Sequence, residues 1–122
     1  MKARFDGQPL IEAYGDFGFR LASQRFEGSI LLTRRGLYPW PVASLMEADA
    51  ASLAPVVESA DEFDFLIVGG GASFARFSKN LTIYLENLRI IPDFMDTGAA
   101  CRTYNVLRSE DRRVAAALIA VP

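Results

Sequence analysis

The chain has 122 residues, a formal net charge of −2 and a hydrophobic fraction of 51%. That length suits one domain, residues 1–122, with no room for a second core. Histidine is absent and Cys101 is the single cysteine, which excludes an internal disulfide, Ser-His-Asp or Cys-His catalysis as usually built, and most zinc sites.

In chain order, the segment from Pro9 to about Val42 reads as short strands joined by turns. "LIEAYG" alternates apolar and polar positions, "FGFRLAS" repeats the pattern after a Gly15-Asp16 turn, and "GSILLTRRG" ends in a charged turn. "LYPWPV" follows, with Pro39 and Pro41 around Trp40. Two prolines so close exclude a central strand and predict an edge or loop that pins the tryptophan. In "ASLAPVVESADEFD", Leu53, Val56, Val57 and Ala60 recur at helical spacing, with Ser52 the expected N-cap and Pro55 in the first turn. "FDFLIVGGG" is a continuous apolar run stopped by three glycines, the form of a strand buried on both faces. "SKNLTIYLENLRI" places Leu81, Leu85 and Leu88 on one helical stripe capped by Ser78, and "RIIPDFM" is a short strand. "MDTGAACRTYNVL" opens a helix with Asp96 or Thr97 as N-cap. "VAAALIAV" mixes helix-forming alanines with β-branched residues. Its brevity and the following Pro122 favour a strand. Alternating strands and helices across the second half predict an α/β domain with helices covering the sheet.

The isoelectric point of about 5.1 argues against a nucleic-acid partner held by phosphate attraction. No run approaches the roughly 18 apolar residues of a transmembrane helix, and "MKARFDGQPL" lacks the apolar core of a secretory signal, so no membrane insertion and a cytoplasmic setting are expected. A composition rich in arginine and alanine suits a GC-rich bacterial genome. A mean hydropathy of +0.15 fits either a buried central sheet or an apolar surface that a partner covers.

One polar cleft is expected, between the Gly69, Gly70, Gly71 loop and the helix start carrying Asp96, Thr97, Cys101, Arg102 and Asn105. The glycines follow a buried strand, as in a dinucleotide-binding loop, but the third glycine of GxGxxG is missing and the next helix begins late. They are therefore expected to shape a tight turn. At ~100° per residue, Ala99, Ala100, Thr103, Tyr104, Val106 and Leu107 gather on one side of the following helix, and Gly98, Cys101, Arg102, Asn105 and Arg108 on the other. A thiol in the first helical turns beside arginines would be acidified, yet without a histidine base Cys101 is expected to be a buried spectator. No catalytic residue, metal ligand or cofactor is assigned. The charge run Glu58, Asp61, Glu62 and Asp64 reads as a solvated turn. Arg34-Arg35 and Arg112-Arg113 sit at two turns and are read as separate and exposed. Were they adjacent, they would form a basic patch for an acidic partner.

"FLIVGGG" followed by "MDTGAACRTYNVLRSEDRRVAAALI" resembles the small α/β family that includes mitochondrial complex I assembly factor three and the adipogenesis-associated Mth-domain-containing protein. The C-terminal frame is carried by Thr97, Ala99 or Ala100, Thr103, Tyr104, Asn105, Leu107, Glu110 and Arg112 or Arg113, and "YGDFGFRL…FEGSILL…W" extends the likeness over nearly the whole chain. The resemblance implies a three-layer α/β fold with a mixed central sheet, a β-hairpin subdomain and flanking helices. It implies no established enzyme activity, and it implies protein partners, since the eukaryotic relative acts by binding proteins during respiratory-complex assembly. Two functions are therefore carried forward. One is a non-catalytic interaction or assembly protein, and the other is an enzyme or small-ligand binder using the cleft.

Overall fold

At the centre of the computed structural model, which describes Ala3 and residues 7–122, lies the alanine-rich strand β8 (Val114–Leu118), all five residues of it buried. β8 pairs parallel with β6 (Phe65–Gly69) and antiparallel with β4 (Ile30–Thr33). β5 (Gly36–Pro39) and β7 (Pro92–Met95) complete a mixed sheet of order β5-β4-β8-β6-β7. "VAAALIAV" thus forms a strand, as its brevity predicts. A strand covered on both faces needs short side chains where helices press on it, and alanine supplies them.

Alternation along these strands divides the core. Leu31, Leu66, Val68, Ala115 and Ala117 face one apolar cluster, while Ile30, Leu32, Ile67, Val114, Ala116 and Leu118 face the other. The first cluster is closed by α1 (Ala54–Glu58) through Val56 and by α2 (Lys79–Asn87) through Leu81 and Leu85. The second is closed by α3 (Thr97–Ser109) and by a separate antiparallel sheet of β1 (Ile11–Gly15), β2 (Gly18–Leu21) and β3 (Gln24–Glu27). The fold is thus the expected three-layer α/β arrangement with a hairpin subdomain and flanking helices, the subdomain carrying one strand more than a hairpin.

That extra strand, β3, has no sequence expectation behind it. "FGFRLAS" stops as a strand at Leu21, because Ala22 and Ser23 turn with φ of +50° and +60°. Asp16 and Phe17 do the same before β2, at +50° and +58°. Two left-handed residues in succession match the twist of tight antiparallel hairpins. Such turns usually advertise themselves by Asn or Gly, and Ala-Ser does not.

The prolines act as expected. β5 is an edge strand, and Trp40 just beyond it is 2% exposed, its backbone N–H donating to the Ser29 carbonyl and its Nε1 to Ser52 Oγ. Ser52 therefore does not cap α1. The N-cap is Leu53, without a side-chain hydrogen bond, while Ser52 joins Asp49 and Trp40 in a turn. Pro55 does lie in the first turn. Ser78 caps α2 by accepting from Leu81 N, but Leu88 closes that helix as its C-cap and is 42% exposed, so the predicted leucine stripe ends at Leu85.

Helix α3 lies close to the sheet. A Cβ on Gly69 would stand 2.9 Å from Thr97 Cα and 3.0 Å from Ala100 Cβ. Ala100 is fully buried on that contact. Ala100→Leu should therefore overpack it and lower stability by about 1–3 kcal/mol, read as a reduced urea midpoint with an unchanged denaturant slope.

Candidate functional site

The glycine loop and the start of α3 meet, because they follow two neighbouring parallel strands, β6 and β7. Gly71 N donates to Thr97 Oγ1 at 3.0 Å, Thr97 N donates to the Gly71 carbonyl at 2.8 Å, and Thr97 Oγ1 donates to the Ile119 carbonyl at 2.7 Å. Gly70 N donates to the Met95 carbonyl at 2.9 Å. The amides that could have cradled a phosphate are thus engaged inside the protein. The glycines themselves serve contact: Gly69 admits α3, a Cβ at Gly70 would meet Leu45 and Ala75, and Gly71 has φ +117°. The tight-turn reading holds over the dinucleotide-loop reading.

Asp96 is the N-cap of α3, its Oδ1 accepting from Ala99 N at 2.8 Å. Beside it lies a shallow depression of about 340 Å3 lined by Tyr14, Gly71, Ala72, Asp96, Gly98 and the chain end Val121–Pro122. Only Gly71 and Asp96 of the eight expected residues line it. Tyr14 from β1 was not anticipated. Its hydroxyl reaches the helix start closely enough that a Cβ on Gly98 would stand 2.6 Å from it. No sequence signal relates positions 14 and 98, which come from different layers.

The remaining expected residues divide differently. Thr97 is fully buried. Cys101 is 3% exposed among Ile11, Phe19, Leu21 and Tyr104, not on a polar side. The buried arc of α3 is Thr97, Ala100, Cys101 and Tyr104, whereas Val106, assigned to the apolar side, is 55% exposed. Because the helix is clasped between a sheet and a second small sheet, its covered arc is displaced from the one the wheel drew. Burial raises the Cys101 thiol from its ordinary 9.0 to about 12, overriding the opposing pull of Arg102. The thiol is therefore held protonated and buried.

Asn105 is not a cleft residue. Its Oδ1 accepts from Ile11 N at 2.8 Å and its Nδ2 donates to the Ile11 carbonyl at 2.9 Å, in the manner of a strand partner for β1. Tyr104 Oη donates to the Pro9 carbonyl and Arg108 Nε to the Gln8 carbonyl. Thr97, Tyr104 and Asn105, three polar members of the recognisable C-terminal frame, each tether chain to chain. Arg102 is exposed and makes no hydrogen bond or ion pair with a described residue.

The charged turns also depart from expectation. Glu62 holds Arg35 through both carboxylate oxygens, and Asp64 holds Arg113 the same way. Arg113 draws the exposed Asp64 carboxyl below its usual range. Arg34, Arg112 and Arg113 line one cavity rather than standing apart. Among the described residues no group is placed to hold a metal ion, and no helix is long and apolar enough to cross a membrane.

The molecule is thus a three-layer α/β domain whose most recognisable motif is structural. A family model described as protein of unknown function (DUF498/DUF598) matches residues 11–119. An uncharacterized protein of Rhodobacter capsulatus is 36% identical over 118 residues, 97% of this chain and 90% of that one. The NADH dehydrogenase [ubiquinone] 1 alpha subcomplex assembly factor 3 of Drosophila melanogaster is 33% identical over 115 residues, which cover 90% of this chain but 58% of the fly protein. A crystal structure described as an outer membrane protein from Bartonella henselae superposes with a TM-score of 0.92 at 39% identity, covering 98% of this chain and all of that one. The chain belongs to the DUF498/DUF598 family and has its Mth938-like fold, seen also in a Bordetella pertussis protein at 27% identity, TM-score 0.75 and 98% and 92% coverage.

Two measurements check this assignment of roles. Asn105→Ala leaves the Ile11 amide without its acceptor and should cost about 1–3 kcal/mol, whereas Arg102→Ala should stay within about 0.5 kcal/mol of wild type. Because the folded Cys101 pKa is raised, its contribution is complete below the ordinary value and is lost as pH rises from 9.0 towards about 12. Wild-type urea midpoints should therefore fall more steeply over that window than those of Cys101→Ala.

Proposed function

We propose that this chain is a non-catalytic, protein-binding assembly factor, serving the assembly of a respiratory or other membrane complex from the cytoplasmic side. The observation that carries the reading is its alignment, over about nine-tenths of its length, with proteins named NADH dehydrogenase assembly factor 3. This chain spans about 60% of those proteins (60%, 58% and 61%), so their role is carried over here as a proposal. Two features support it. The thiol is buried and de-acidified, and the polar residues of the helix start are engaged in internal hydrogen bonds rather than turned towards a substrate. A protein partner, not nucleic acid, suits an isoelectric point of about 5.1.

The test is capture of the tagged chain from its native cells, paired with deletion of its gene and native electrophoresis of the NADH dehydrogenase. Subunits of that enzyme should be recovered with the chain, and assembled enzyme should fall on deletion. Unchanged assembly with no subunit recovered overturns the proposal. Fractionation of the same cells decides the cytoplasmic setting.

A further inference from the structure

The turn after β4 carries Arg34, the last turns of α3 carry Arg108, and the turn entering β8 carries Arg112 and Arg113. These lie at the end of the sheet opposite the glycine loop, since α3 and β8 together carry the chain there and back. All four line one open cavity of about 460 Å3, with Glu62 and Asp111 as the carboxylates on its wall. An acidic chain thus concentrates guanidinium at one place.

How far those groups are already satisfied decides what they can take. Glu62 is held by Arg35, which does not line the cavity, so its charge is largely answered from outside. Arg113 is engaged by Asp64. Arg112 lies over the Phe65 ring at 4.9 Å, and its guanidinium makes no hydrogen bond or ion pair with a described residue. Arg108 is engaged through Nε by the Gln8 carbonyl and also by the Tyr104 side chain. Arg34 makes no hydrogen bond or ion pair with a described residue. Arg34 and Arg112 thus keep their forked donors for planar, bidentate acceptors.

We propose that this cavity docks an acidic segment of a protein partner, its successive carboxylates each taking one guanidinium. The inference rests on the partner-binding reading above and adds the chemistry of the contact. A compact phosphate fits less well. The cavity lies at the C-terminal end of α3, where the helix dipole is negative, and two carboxylates share its wall. A phosphate would concentrate charge against both, whereas spaced carboxylates meet the guanidiniums separately. Nucleic acid is disfavoured by the net charge of −2.

The experiment is fluorescence anisotropy of a labelled short oligoglutamate peptide against the full chain, at low and raised salt, with pyrophosphate as competitor. Wild type should bind, more weakly as salt rises. Arg34→Glu with Arg112→Glu should weaken binding by roughly tenfold or more. Lys79→Glu with Arg89→Glu, an equal charge change at the start of α2 and in the turn that follows it, should leave it nearly unchanged. Arg34→Gln with Arg112→Gln serves if the reversals disturb the urea midpoint. Equal loss in both double variants, no loss in the cavity variant, or displacement by pyrophosphate at concentrations matching the peptide would each overturn the proposal. Native-cell capture with the cavity variant separates the two readings. Undiminished recovery of the wild-type partners removes the cavity and leaves the assembly reading. Selective peptide binding with no partner recovered by wild type removes the assembly reading and leaves the cavity.

Discussion

The structure depends on how closely α3 approaches the central sheet. A helix can come this near only where the facing residues are small and its own first turn has no unmet polar group. Gly69 and Ala100 meet the first requirement, since a Cβ on Gly69 would stand 3.0 Å from that of Ala100, which is itself fully buried. Thr97 meets the second. Its hydroxyl, fully buried, accepts from Gly71 and donates to Ile119, so one side chain joins the β6 loop, the helix start and the end of β8. An unpaired hydroxyl at that depth would be costly, and pairing it makes the junction specific.

From that junction the other layer follows. With α3 held against the sheet, its far side is free to receive the hairpin subdomain, and Asn105 fixes the register by pairing with both polar groups of the Ile11 backbone. Tyr104 and Arg108 hold the chain preceding β1 by two more carbonyls, and Gln8 Nε2 donates onward to Val114. The helix is a spine that two sheets share. This explains why residues that resemble site residues by type are buried or bonded: in a helix covered on two sides, polar side chains are the means of joining the layers.

The surface is divided accordingly. At the glycine-loop end the depression is shallow and bounded by Tyr14, Asp96, Val121 and Pro122, with the amides of Gly71 and Thr97 engaged. At the other end, where α3 finishes and β8 begins, arginines from three turns converge on one cavity. The ion pairs of Arg35 with Glu62 and Arg113 with Asp64 lie around that end. Being exposed, they contribute little to stability individually, and they order the side chains that surround the cavity.

The elements that the sequence determined by itself are those whose signal is local. "FLIVG" and "VAAAL" are strands because apolar runs too short for helices bury both faces. Ser78 and Asp96 start helices because each places an oxygen within reach of an amide three residues on. Pro39 and Pro41 confine their strand to an edge because they lack a donor. The Mth-type resemblance was legible because its frame includes Thr97, Tyr104 and Asn105, which tether α3. What only the tertiary structure decided is everything that depends on which element lies beside which. The Ala22-Ser23 turn and β3 carry no turn signature. Ser52 serves Trp40 because a strand end arrives beside it. Cys101 is buried, and Val106 exposed, because helical periodicity defines arcs without saying which are covered, and here a second small sheet covers one more. Arg34 and Arg112 meet because β4 and β8 are antiparallel neighbours, so the end of one strand stands beside the start of the other. Sequence distance carries no trace of that adjacency, since pairing order is fixed by the burial of whole faces rather than by the turns that follow from it.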